Sequence, residues 1–357
     1  MAFDIFKPRQ ADLFQIIPYL LHENIALPGI RHDFEKKTPH GIFDYHPGPE
    51  SIEIISKYAR GKRYTPAHPV NPAIEGLFTM GSIGSVAQAD DSDIDYWVCI
   101  HEERFNRDEL ALLEKKLRTI EAYAWEEFHL QVTFFTVDII KARNNNFGDS
   151  TLESSGSAQA MLLKEEFYRT MIHVAGKLPL WSVLPTTFSK AYYKAILNLV
   201  SGLPDFFRYI DLGDIHAIPT GEFFGASIWQ MFKILKSPFK SILKMALLEK
   251  YVCEYGKKPL LCNIYKAEWM NSGINLKPAQ NDAYYILVDN LLNYFEAAED
   301  KESASLLLTC FFLKLGISKP ADLDHTIFGL RKILLEHCME KWGWSREKML
   351  KIGGYAS

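Results

Sequence analysis

Apolar residues recur at helical spacing between residues 8 and 23 (Leu13, Ile16, Ile17, Leu20, Leu21), which predicts a helix with one buried face. The stretch from Leu27 to Pro49 is punctuated by Pro and Gly and reads as an ordered loop, long enough to suggest a task of its own. Residues 50–60 read as a short helix. From residue 75 the pattern alternates: a strand over 75–80, a turn of small residues with a short helix, a strand over 94–100, a helix over 107–127 and a strand over 130–137. In the helix, Leu110, Leu113, Leu117, Ile120 and Tyr123 share one face and charges occupy the other. Beyond "NNNFGDSTLESSG" almost everything has helical period, and no convincing strand run follows. The fold class expected is α+β: residues 1–60 as a helical and loop segment packed on the core, 61–150 as a small mixed α/β domain, and 151–357 as an all-helical domain.

Composition adds exclusions. At 357 residues the chain is longer than one core comfortably serves, which agrees with two packed units. A net charge of -4 argues against a duplex nucleic-acid binder, which needs a surplus of clustered Lys and Arg. The five cysteines are scattered without a CxxC pair, as suits free thiols in a reducing cytoplasm. The N-terminus "MAFDIFKPRQADLFQ" lacks the basic and apolar regions of a signal peptide. The longest apolar candidate, around "SASLLLTCFFLKLGI", is interrupted by Lys314, so no membrane span is expected and the protein should be cytoplasmic. There is no GxGxxG, no GxxxxGK[ST] and no His or Cys cluster of zinc spacing, which sets aside Rossmann, P-loop and zinc chemistry.

The unusual stretch is "GSIGSVAQADDSDIDYWVCI", from Gly81 to Ile100. Residues two apart in a strand point to the same side, so Asp93 and Asp95 bring two carboxylates together. They repel unless something positive sits between them, and a divalent metal is the obvious candidate. Gly81 has no Cβ to obstruct a phosphate, and Ser82 offers a hydroxyl beside backbone N–H groups at an expected helix start. On the residues alone two readings stand: a plain turn beside a solvated strand face, or a phosphate-binding turn beside a metal-binding pair. The Gly-Ser after an apolar strand favours the second, which is the arrangement nucleotidyl transfer needs.

The segment "TMGSIGSVAQADDSDIDYWVC" resembles the signature of the class I, enterobacterial-type adenylate cyclases, within the polymerase-beta-like nucleotidyltransferase superfamily. The segments "LLKEEFYRTMIHVAGKLPLW", "YIDLGDI", "GEFFGASIWQMFKILKSPFKSILKMALLE" and "EKWGWS" also look like family segments, in family order. The likeness runs from about Leu20 to Leu350, with departures at Ile83-Gly84, Tyr96 and Lys164. Members of the family usually continue into a C-terminal regulatory region, and the chain would then be an excised catalytic portion or a short member.

The resemblance implies a palm-like nucleotidyltransferase domain followed by helices that complete an ATP site. ATP would be converted to 3′,5′-cyclic AMP and pyrophosphate by attack of its own 3′-OH on the α-phosphate, with two Mg²⁺ ions as cofactor, or Mn²⁺ in their place. Asp93 and Asp95 are then the metal ligands and catalytic carboxylates, and Gly81, Ser82 and Ser92 hold the triphosphate. Superfamily members usually carry a third carboxylate on the next strand. Asp138 is the candidate, as metal ligand or as the N-cap of the "DIIKAR" helix, and both readings stay open. Lys233 and Lys240 match family positions and are candidates for phosphate contact, against a reading as a solvated lysine face. Ser237-Pro238 breaks the register between them and should start a new helix. Ser157 and Gln159 are raised as base or phosphate contacts only by the resemblance. The rival functions are a nucleotidyltransferase that moves AMP to a protein or small-molecule hydroxyl, and a dead nucleotide-binding regulatory module. A regulatory partner is compatible with the sequence, which identifies none.

Overall fold

A computed structural model describes residues 6–25, 27–30, 34–59, 71–89, 92–147, 159–185, 190–203, 207–272, 281–316 and 329–353. Two helices come first, α1 (Pro8–His22) and α2 (Pro49–Tyr58). Four strands then make a mixed sheet in the order β3-β2-β1-β4, from β1 (Gly76–Met80), β2 (Ile94–Ile100), β3 (Val132–Asp138) and β4 (Ile172–Gly176). β1 runs antiparallel to β2 and β4, whereas β2 and β3 are parallel, so their connection must cross over. That crossover is α3 (Arg107–Phe128), started by an Asn106 capping box in which Asn106 and Glu109 satisfy each other's backbone amides.

The alternation along the strands feeds two cores. Ile94, Tyr96, Val98 and Ile100 join α1 and α3 in one buried cluster, together with Leu77, Val132 and Phe134. Phe78, Met80, Trp97, Cys99 and Val137 point the other way, into the cluster shared with the later helices. Asp93 and Asp95 have the parity of Trp97 and Cys99, so the acidic pair lies on the face toward the helical half.

Two expectations need correction. The segment after the 148–158 stretch is not wholly helical: α5 (Ala160–Thr170) stops at Thr170, and Ile172–Gly176 forms β4 at the sheet edge. A short run with polar His173 inside it gives little strand signal. Its end is set by Gly176, at φ +83°, where a Cβ would come within 2.6 Å of the Glu75 carbonyl oxygen. The short helix expected after Gly81 is also not formed. Residues 81–89 are turns, and Gly81 and Gly84 both have positive φ, which no continuing right-handed helix accommodates.

Among the described residues after α5, the regular structure is helical apart from β4 and a two-stranded ribbon of β5 (Leu178–Pro179) and β6 (Tyr209–Ile210). The helices are α6 (Leu180–Val183), α7 (Lys190–Val200), α8 (Thr220–Lys233), α9 (Pro238–Cys253), α10 (Leu261–Ser272), α11 (Ala283–Ala297), α12 (Lys301–Lys314), α13 (Gly329–Trp342) and α14 (Arg346–Gly353). As expected, Ser237 occupies the N-cap of α9 and Pro238 its first turn. Among the described residues no helix is long and apolar enough to cross a membrane.

Candidate active site

The site begins where β1 and β2 end together. Met80 pairs with Asp95, so Gly81 and Ser82 leave the sheet at the end where Asp93 and Asp95 enter it. Gly81 is at φ +99° with nothing within 4 Å of an added Cβ, which leaves open space above the turn. The turn closes through its serines. The Ser82 and Ser92 hydroxyls are 3.3 Å apart, and Ser92 Oγ accepts from the Ala89 amide at 2.9 Å. Much of the backbone is already engaged: Gly81 N–H donates to Thr170 Oγ1 at 3.0 Å, and Gly84 N–H to Gln88 Oε1 at 2.7 Å. Among the described residues the Ser82 and Ile83 amides carry no hydrogen bond, so they and the Ser82 hydroxyl are the turn's remaining donors.

Opposite this turn stands α5, keyed to the sheet by stacking of Trp97 on Phe167, with ring centroids 4.0 Å apart and planes within 7°. Trp97 lies two residues after Asp95 and Phe167 one residue after Glu166, so the stack fixes these carboxylates relative to each other. Lys244 of α9 donates to Glu166 Oε2 at 2.8 Å. Lys240, one turn earlier on the same face of α9, interacts with Glu166, Asp93 and Asp95 together.

The charges at this site act on one another. Burial pushes the Asp95 carboxyl up to about 7, helped by Asp93 and Glu166 and opposed by Lys240 and Lys244. Burial alone would also raise Glu166, yet Lys244, Arg169 and Lys240 hold it down at about 2. Burial works against the Lys240 ammonium, but Tyr284, Glu166, Asp93 and Asp95 together keep it above the usual lysine range.

This donor set fits a hard divalent cation. Two carboxylates share one strand face, neither is hydrogen-bonded or ion-paired among the described residues, and burial holds one of them up at about 7 despite Lys240 and Lys244. Among the described residues no three His, Cys, Asp or Glu side chains converge into a ready cage, so an ion here would draw further oxygens from phosphates and water.

The other expected residues fall in different places. Asp138 is not brought to the pair. It follows Val132 and Phe134 in strand parity, on the opposite face, and pairs with Ile100 while Asp95 pairs with Thr133, five residues or about 16 Å along the strand. Both of its oxygens are taken, one by the Lys141 amide at 2.7 Å and the other by the Glu102 amide at 2.8 Å, so it serves as the N-cap of α4 (Ile139–Arg143). Lys233 places its ammonium 5.3 Å over the Trp229 ring and is not among the main charges acting on Asp95. Gln159 is the N-cap residue of α5, with a buried side-chain nitrogen that has no hydrogen-bond partner among the described residues. Ser157 lies outside the described residues. The N-terminal amides of α5 at Met161 and Leu162 are taken by the Glu222 carboxylate.

Sequence reasoning missed Glu166, Lys244 and Tyr284. Lys240 and Lys244 recur at i,i+4, a signal for two ammoniums on one face. Nothing local marks Glu166 or Tyr284, which reach the cleft only through helix packing.

The family model for the adenylate cyclase N-terminal domain matches residues 1–182, and that for the second domain of class-I adenylate cyclases matches residues 218–355. The chain belongs to the class-I adenylate cyclase family. It is 31% identical to the adenylate cyclase of Salmonella typhimurium over 359 residues, covering 98% of this chain and 41% of that protein. Against the adenylate cyclase of Escherichia coli K12 the identity is 30% with the same coverage, and against that of Proteus mirabilis 31%, covering 97% of this chain and 39% of the relative. The chain thus spans about two fifths of the length of these relatives. No solved structure matches it significantly. The two family matches meet at the cleft: Gly81, Asp93, Asp95 and Glu166 come from the first, and Lys240, Lys244 and Tyr284 from the second.

Proposed function

We propose that this chain is an adenylate cyclase catalytic unit, which converts ATP to 3′,5′-cyclic AMP and pyrophosphate in the cleft between the sheet and α5, α9 and α11. The observation that carries this reading is an acidic pair with no direct ion-pair partner among the described residues, facing a lysine-bearing helix beside a turn with unused amides. It agrees with what the relatives are named for.

Asp93 and Asp95 would hold Mg²⁺, or Mn²⁺, together with the triphosphate oxygens. When bound, such ions polarise the α-phosphate, lower the pKa of the attacking hydroxyl and neutralise the leaving pyrophosphate. The chain's own residues orient and neutralise. The Ser82 and Ile83 amides and the Ser82 hydroxyl, itself held by Ser92, hydrogen-bond phosphate oxygens. Lys240 supplies a fixed positive charge across the cleft from Asp93 and Asp95, and the Glu166–Lys244 pair holds it in place. Gln159 carries a buried donor with no acceptor among the described residues, a group a nucleotide could satisfy. Lys233 and Ser157 are left outside the assigned contacts.

The test is to incubate the purified chain with ATP and Mg²⁺, and separately Mn²⁺, with no second substrate, and to separate the products by chromatography. Cyclic AMP with equimolar pyrophosphate is expected, abolished in folded Asp93→Asn and Asp95→Asn. AMP attached to another molecule, or ATP recovered unchanged with either metal, contradicts the reading.

A further inference from the structure

The candidate phosphate turn is held from outside by two side chains remote in sequence. Asp282, 196 residues away, accepts the Val86 amide on Oδ2 at 2.6 Å. Lys314, 227 residues away, donates to the Ala87 carbonyl at 2.9 Å. Asp282 is only 2% exposed and divides its carboxylate, because Oδ1 caps α11 by accepting the Tyr284 and Tyr285 amides at 3.0 and 2.7 Å. An N-cap needs one oxygen, and serine would supply it without burying a charge. The second oxygen is spent on the turn. Lys314 closes the circuit, with its ammonium 5.1 Å over the ring of Tyr284, the residue whose phenol interacts with Lys240.

We infer that Asp282 and Lys314 are positioning residues that pin Val86 and Ala87, and through them aim the Ser82 and Ile83 amides at the polyphosphate. Neither touches the reacting atoms. Between the pinned segment and those amides the turn is stiffened by its own bonds, Ser85 Oγ to the Ser82 carbonyl at 2.6 Å and Gly84 N–H to Gln88 Oε1. Displacing residues 86–87 therefore displaces the donors at residues 82–83, and misaimed donors cost rate and affinity steeply. Both pinning residues lie within the matched second domain, so that domain sets the geometry of the first domain's turn.

The catalytic arm of the test rests on the proposed cyclase reaction, and an exchange arm does not. Asp282→Ser keeps a capping oxygen for α11 but is too short to reach Val86, and Lys314→Met keeps the apolar stem without the donor. For each, amide hydrogen exchange of the segment 83–89, Tm, and kcat and KM for ATP are measured on one preparation. The expected result is faster exchange in 83–89, a modestly lowered Tm with the fold retained, and kcat/KM for ATP lowered at least about tenfold. Unchanged exchange in 83–89, or a lowered Tm with kcat/KM of the folded protein intact, overturns the inference. If wild-type protein makes no cyclic AMP, the cyclase reading fails while exchange still decides the tether. Should Asp282→Ser not fold, Lys314→Met decides it alone.

Discussion

At the scale of single residues, Asp95 is the informative one, because its carboxyl is held up at about 7 by burial and by Asp93. A group whose folded pKa exceeds its unfolded value stabilises the fold at low pH, and that contribution disappears as the pH rises through the folded value. Asp95 therefore favours folding of the metal-free chain below the ordinary carboxylate range and ceases to do so by about pH 7. Asp95→Asn is expected to raise Tm of the metal-free protein at pH 8 and to leave it nearly unchanged at pH 4. Thermal melts in chelator at the two pH values check this, and a Tm lowered at pH 8 would show that the ionised carboxylate is already well compensated. The Asp93/Asp95 pair was readable in the sequence because strand alternation alone puts both carboxylates on one side. Of the lysines that oppose their charge, Lys240 was singled out but Lys244 was not, because Lys244 meets Glu166 only across two helices packed on the sheet, 78 residues apart.

At the scale of elements, most boundaries followed from periodicity. The strand expected over 94–100 is β2, the helix over 107–127 is α3, and Ser237-Pro238 does start α9. The failures share a cause: β4 is a short edge strand that draws its order from pairing with β1, and the turn after Gly81 draws its shape from Asp282 and Lys314. Neither has enough local signal to be read alone. Asp138 shows the same limit, since only the parallel register of β3 on β2 separates it from Asp95. As the N-cap of α4 and acceptor of the Glu102 amide, it should matter to stability. Asp138→Ala is expected to cost about 1–2 kcal/mol and to leave cyclic AMP formation by the folded protein close to wild type. Denaturant melts and product assays on one preparation measure both, and collapse of activity at normal stability would restore a catalytic role.

At the scale of the molecule, the sheet separates two cores, one built with α1 and α3 and the other with the helices from α5 onward. The sequence suggested a boundary near residue 150, yet β4 and α5 lie beyond it and one completes the sheet while the other walls the cleft. The proposed chemistry would accordingly draw on both halves, with the acidic pair from one and Lys240 from the other. On the proposed reading, this site binds a divalent metal together with a nucleoside triphosphate through Asp93 and Asp95. Electron paramagnetic resonance of Mn²⁺ titrated with protein and a non-cyclisable ATP analogue tests it most directly, because the free-ion signal falls as the ion is taken up, whatever the turnover. Wild-type protein is expected to deplete the free signal beyond what the analogue alone achieves, and folded Asp93→Asn/Asp95→Asn is not. Equal depletion by the wild-type and doubly substituted proteins would contradict it.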